Sequence, residues 1–340
     1  MTTLGKREQL ILGCIIESYI RNAIPVGSRY LAKQYALGIS PATIRNVMND
    51  LVDMGYIQQP HISAGRIPTD KGYRLYVNTL KSVPVLTRYN RRLISSRLND
   101  ITVDLEKIFD TSSQMLGKLS SQLGVVVEPR FFEAIFHKME LIPISERKIL
   151  AIVSTTAGFV KTIMMEVDSA VSRIELRRAS QLVNERLSGL SLREIRETLK
   201  QRLEIADNNY LLKLIVHSSS KLFNFDNPKN LHLCGAHNIM SNPEFSDREK
   251  AFKILEVIES KQTIMEHFDE IEEDICITIG EENKESPFKN CSIVSARYKI
   301  GNSFGTLGVV GPTRMQYAKM IALVDYMGKI LTESLSARLS

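Results

Sequence analysis

The sequence predicts a multidomain α+β protein. A basic helical module comes first, followed by a strand-rich body interrupted by a block of helices. Three observations carry that reading. The positive charge excess is confined to the first third of the chain. Strand-like apolar stretches occupy 124–167 and 275–310. Between them, from Ile174, the apolar spacing turns helical.

The bulk numbers bound the class. The 340 residues suit about two or three domains. With 44% hydrophobic and 24% charged residues, the chain can bury a real core. The longest apolar runs, such as Leu10–Ile16 broken by Gly13, are too short to span a bilayer. The start, MTTLGKREQL, has no apolar segment behind its charges, so neither a membrane span nor a signal peptide is expected. Cys14, Cys234, Cys276 and Cys291 are scattered without a CxxC pair, which fits a reducing cytoplasm. Residues 1–97 hold 14 Lys/Arg against 5 Asp/Glu, and the remainder holds 30 against 33. That skew is the footprint of a nucleic-acid-binding module on a neutral body, although a solvated basic surface gives the same count.

The first module reads as three short helices. Lys6–Arg21 places Leu10, Ile11, Ile15 and Tyr19 at helical spacing before Pro25 breaks it. Ser28 suits the N-cap of a second helix, Arg29–Leu37, with Gly38 as its stop. Ser40-Pro41 then opens a third helix that runs to Gly55, because proline at the first helical position loses only an orphan N–H. Ile44, Val47, Met48 and Leu51 form one buried face of it. The opposite face carries Ala42, Arg45, Asn46 and Asn49, with Ser40 and Thr43 at the helix start. Arginine pairs with the guanine edge in a major groove, asparagine with adenine, and a methyl with thymine. Asp50 and Asp53 would repel phosphate, so the N-terminal half is the one expected to enter the groove. An ordinary polar surface helix is the simpler alternative.

Tyr56–Gln59 and Ile67 read as two short strands around a loop, and Thr69 caps a fourth helix, Asp70–Leu80. Strands and a basic loop behind a reading helix make a winged helix. Its His61, Ser63 and Arg66, the last behind flexible Gly65, with nearby Lys71 and Arg74, are candidate phosphate or minor-groove contacts. Residues 80–97 read as a basic connector interrupted by Pro84. Arg88, Arg91, Arg92 and Arg97 either touch phosphate or are simply solvated.

In the body, Val103–Leu123 is helical, and 124–127, 131–141, 149–154 and 160–167 are strands. Ser191–Glu194 is a capping-box sequence before Ile195, Leu199 and Leu203, and a further helix covers 209–223. Ser246–Glu249 is another, opening a helix with Phe252, Leu255, Ile258 and Ile264. Strands at 275–279, 292–300 and 306–310 follow, then a last helix, Arg314–Leu335, capped by Thr313. No chemistry-bearing set emerges. Residues 155–162 lack the glycines and the lysine of a phosphate loop. His232, Cys234 and His237 are zinc-ligand types without an evident fourth ligand. Glu281 and Glu282 are adjacent on a loop with no partner base or nucleophile. No cofactor, metal or enzymatic activity is expected.

Several segments resemble, in order, the HrcA family of bacterial heat-inducible transcription repressors. They are SPATIRNVMNDLVDMGYIQQPHISAGRIPTDKGYR, LIPISERKILAIVSTTAGFVKT, NPEFSD, ITIGEEN and GTLGVVGPTRMQYAKMIALVDYMGKIL. HISAGRIPTDKGYR and GVVGPTRMQY are the specific ones. The resemblance implies a winged helix over 1–82, a basic linker over 83–102, and a GAF-like domain in two parts, 103–177 and 246–340. It places an inserted, mainly helical dimerisation domain over 178–245. The reading helix maps to Ser40–Met54 and the wing to Gln58–Ile67. Implied with them is a stress-response role: a homodimer binds an inverted-repeat operator in double-stranded DNA and represses chaperone operons, and chaperonin helps it reach its active fold. The alternative is a winged-helix regulator gated by a small molecule in the GAF-like domain.

Overall fold

The computed structural model describes residues 4–61, 64–80, 85–101, 104–129, 134–204, 210–225, 231–245, 247–271, 273–301 and 303–339. Contacts gather the chain into two units. The first joins Met1–Val126, Leu231–Arg297 and Thr306–Gly328; the second joins Val127–Asn230, Tyr298–Gly305 and Lys329–Ser340.

The first unit opens with α1 (Lys6–Asn22), α2 (Ser28–Tyr35) and α3 (Pro41–Asp53). Ile11, Leu12, Ile15 and Ile16 of α1 are buried, as are Leu31 of α2 and Ile44, Val47, Met48 and Leu51 of α3. The start of α3 is as expected: Thr43 N–H donates to Ser40 Oγ at 3.1 Å and Pro41 holds the first helical position. The start of α2 is not. Ser28 is already helical, Gly27 is the N-cap without a side-chain bond, and Ala36 takes the left-handed stop at φ 45°. The chain direction there is set from outside the helix, by Val26 and Arg66, which exchange backbone hydrogen bonds of 2.8 Å.

The hairpin β1 (Ile57–Gln58) and β2 (Ile67–Pro68) pairs Ile57 with Pro68 and Gln58 with Ile67. Thr69 then caps α4 (Asp70–Thr79), accepting from Gly72 N–H at 3.2 Å. The expected connector is partly a helix, α5 (Arg88–Asn99), whose Ile94 and Leu98 are buried. It packs on α6 (Leu105–Ser120), which leads into the buried strand β3 (Leu123–Val127). Pro84 lies outside the described residues.

In the second unit, β4 (Phe136–Ser145), β5 (Lys148–Thr155) and β6 (Val160–Glu166) form an antiparallel sheet of their own. Of the strand expected over 131–141, residues 131–133 lie outside the described residues. Against β4 lies α7 (Arg173–Leu187), with Asn184 bonding both backbone groups of Met139. Alternation along β5 buries Ile149, Ala151 and Val153, while Leu150 and Ile152 stay half-buried. A row across the less buried face runs Ile142, Leu150, Met164.

Next come α8 (Leu192–Glu204), α9 (Tyr210–His217) and α10 (Ser219–Leu222); the last two replace the single helix expected over 209–223. Ser191 and Glu194 close their capping box through bonds of 2.9 and 3.2 Å. The three strands therefore belong with the helices after them. The expected division had put them with the later strands, but their inner face and α7 share a core.

The first unit resumes with β7 (Leu231–Cys234), α11 (Ala236–Met240), α12 (Arg248–Glu259) and α13 (Lys261–Asp269). One helix reaching Ile264 had been expected, but the chain breaks at Ser260. Ser246 lies outside the described residues, and Asp247 Oδ1 accepts from Glu249 N–H at 2.9 Å there. Then come β8 (Ile275–Ile279), β9 (Cys291–Ile300), β10 (Ser303–Pro312) and α14 (Tyr317–Leu339). The last helix starts three residues later than expected, and Thr313 does not cap it. Its carbonyl accepts from Tyr317 Oη at 2.6 Å instead. The five-stranded sheet runs β7-β3-β10-β9-β8. His232 faces Asp110 at 2.5 Å, and among the described residues no three His, Cys, Asp or Glu side chains are grouped to hold a metal.

Candidate nucleic-acid interface

The α3 helix sorts its residues by face. Four apolar side chains point inward, and Ala42, Arg45, Asn46 and Asn49 are all exposed on the other side. Their spacing of three and four keeps them in one stripe. Among the described residues, Arg45 makes no hydrogen bond or ion pair, so its guanidinium is available to a ligand. Ser40 and Thr43 are engaged with each other at the cap, Oγ to Oγ1 at 3.0 Å.

The hairpin is drawn against this stripe. Arg66 Nη2 donates to Asn49 Oδ1 at 3.2 Å. Gly65 makes this possible, because a Cβ there would sit 2.6 Å from the carbonyl carbon and oxygen of Val26. Any larger residue would push the hairpin away from the Val26–Arg66 bridge. His61 is exposed at the loop, and its carbonyl accepts from Ala64 N–H at 2.9 Å. Ser63 lies outside the described residues.

Lys71 and Arg74 face elsewhere. Lys71 Nζ donates to Met54 O at 2.7 Å and lies 4.5 Å above the Tyr56 ring centre. Arg74 turns away from the hairpin and into the body of the first unit. Its Nε donates to Glu282 Oε1 at 2.7 Å, its Nη2 to the other carboxylate oxygen, and Nη2 also to Ile277 O at 2.6 Å. The guanidinium expected at phosphate is thus engaged internally in this structure, and the carboxylate beside it raises its pKa further. Asn283 fixes the loop that presents Glu282: its buried Nδ2 donates to the carbonyls of Gly280, Phe288 and Cys291, each at 3.0 Å.

Around this pair the sequence showed nothing, yet the structure adds three contacts. Asp70 Oδ2 accepts from Glu281 N–H at 3.1 Å, and burial pushes its carboxyl pKa up. The Tyr73 and Tyr317 rings stand 5.8 Å apart, both fully buried. Arg314 pairs with Glu244 and donates to Ile20 O at 2.8 Å, reaching from the residues before α14 to the end of α1. The four N-terminal helices are therefore held on the body by charged side chains anchored to backbone carbonyls and by two tyrosine rings tilted 49° to each other. Local patterning carries no signal for partners so far apart in sequence.

Comparison with known proteins agrees with this layout. A solved structure described as a hypothetical protein superposes with a TM-score of 0.66, covering 99% of this chain and 100% of its own at 23% identity. That likeness speaks for the fold. The family description "HrcA protein C terminal domain" matches residues 106–321. The heat-inducible transcription repressor HrcA of Chlorobium phaeobacteroides (strain BS1) is 40% identical, covering 98% of this chain and 99% of that protein. The protein of the same name from Prosthecochloris aestuarii is 41% identical, covering 98% of each. Matches of that extent show that the chain belongs to the HrcA family of heat-inducible transcription repressors.

Proposed function

We propose that the protein represses chaperone operons by binding an inverted-repeat operator as a homodimer, with chaperonin assisting its active fold. In this reading α1–α4 and the hairpin act as a winged helix, and the five-stranded sheet with its flanking helices acts as a GAF-like support. The observation that carries it is the exposed stripe Ala42, Arg45, Asn46 and Asn49, beside a hairpin tied to it by Arg66. Base edges are read by such a face and phosphates by the residues around it. The open sheet row Ile142, Leu150 and Met164 supplies an apolar face for the second copy. No described helix is long and apolar enough to cross a membrane.

The test is a footprint of the purified protein on chaperone-operon promoters, with and without chaperonin. Protection of an inverted repeat that strengthens with chaperonin supports the proposal, and unprotected promoters sink the assigned targets.

A second reading rests on a cleft of about 340 Å³ lined by His267, Glu270, Cys276, Thr278 and Glu282. A small molecule there would press on the same Glu282 that holds Arg74. Thermal shift against a metabolite panel checks it: a ligand that raises Tm and changes operator affinity favours gating.

A further inference from the structure

The α5 helix is charged on one sign only. Residues 71–99 hold seven Lys/Arg and no Asp/Glu. Solvated helices elsewhere in this chain mix signs, as α7, α8 and α12 do. In α5, Arg88, Tyr89, Arg92 and Ser96 fall on one exposed side, with Arg97 at its margin. The other side is pinned down: Ile94 and Leu98 are buried, and Ser95 Oγ meets Tyr326 Oη at 3.0 Å. Among the described residues, Arg88, Arg92 and Arg97 have no hydrogen-bond or ion-pair partner, whereas Arg74 and Arg314 of the same unit are both paired.

This arrangement costs stability in the free protein. Arg88 occupies the first helical position, where the dipole disfavours a cation and where no acidic residue offsets it. Arg88 and Arg92 are four apart, so they repel across one turn. A ligand of high negative charge density removes both penalties, and a run of phosphates supplies it. Reach agrees. Arg88 is eight residues beyond Leu80, so it lies within about 29 Å of the end of α4 at most. A duplex that runs one further turn, about 34 Å, beyond the bases under α3 offers phosphates over a span longer than this tether.

We propose that α5 is a second DNA-contacting element: Arg88 and Arg92 bind phosphates flanking the bases read by α3. This rests on the DNA-reading role of α3. The contacts carry no base information, so they add affinity to any duplex long enough to pass beneath α5.

The test uses the full chain, a salt series, and operator and scrambled duplexes that extend ten base pairs beyond the repeat. Arg88→Gln/Arg92→Gln is expected to lower the salt slope by about 0.9 per lost phosphate, nearly two units per protomer. It should weaken both duplexes by the same factor, leaving their ratio intact. Arg88→Lys/Arg92→Lys keeps the charge and should keep the slope, which excludes a folding defect as the cause. A glutamine variant that melts like the wild type and binds with wild-type slope and affinity overturns the proposal and turns this face toward an acidic protein partner. Arg45→Ala separates the two ideas. If it leaves the operator-to-scrambled ratio unchanged, the reading of α3 falls, while the slope of the α5 variant still decides this one.

Discussion

Arg74 and Glu282, separated by 208 positions, form a forked ion pair whose Nε–Oε1 arm measures 2.7 Å. The same guanidinium donates to Ile277 O on β8. A half-exposed pair contributes up to about 1 kcal/mol, and a charged bond to a backbone carbonyl about 1.5 kcal/mol or more. Arg74→Ala is expected to destabilise the protein by about 1–2 kcal/mol in urea unfolding. Arg74→Lys should recover little, since an ammonium cannot fill the fork. A double-mutant cycle with Glu282→Gln should show positive coupling, and additive losses would count against the pairing.

Arg45 is exposed on α3 and has no hydrogen-bond or ion-pair partner among the described residues, and its loss should be read by the base beneath it. Arg45→Ala is expected to cost about 1–3 kcal/mol of operator binding and to relax specificity at one position per half-site. Binding to an operator library, sequenced before and after selection, checks it. A uniform loss across all positions would make Arg45 a phosphate contact.

Arg66 behaves differently because it holds Asn49. A pure phosphate contact would, when removed, lower the salt slope by about one unit and leave specificity alone. Arg66→Ala also frees the Asn49 amide to turn, so a changed base preference should accompany the change in slope. Anisotropy on operators substituted under the Asn49 position distinguishes the two.

The Gly65 position tolerates no side chain. With a Cβ 2.6 Å from Val26 O, Gly65→Ala must displace the hairpin or the chain before α2. Overpacking of this kind costs about 1–3 kcal/mol. Amide exchange at Val26 and Arg66, which now share two hydrogen bonds, should speed up first.

Two cysteines should resist alkylation. Burial pushes the Cys14 thiol up to about 11 and the Cys291 thiol up to about 12. The thiolate is the reactive form, and raising the pKa removes it at pH 8. Both should label with iodoacetamide only as the protein unfolds, and labelling of Cys291 in the native state would contradict its burial.

Local chemistry was readable where one stretch carries its own reason. Ser40-Pro41, Thr69 and Ser191–Glu194 cap their helices because each cap needs only neighbours within three residues. The buried stripe of α3 follows from its period alone. Reading failed where a distant partner decides. Ser28 lost its cap role to the Val26–Arg66 bridge, and Arg74, placed by its charge among the phosphate contacts, was claimed by Glu282. The strands β4–β6 went to the wrong neighbour because alternation shows that a sheet has an inner face but not which helix covers it. The arginines of α5 were visible as charge, and only burial of Ile94 and Leu98 showed which way they face.

The contacts that seat α1–α4 on the body have a timing built into them. A ribosome adds about 5–20 residues per second. Ile20 waits for Arg314 across 294 positions, and Arg74 for Glu282 across 208. A nascent chain therefore carries its finished N-terminal helices unseated for roughly 10–60 seconds at those rates. Every newly made molecule passes through that interval, and a chain cut short before Glu282 never leaves it.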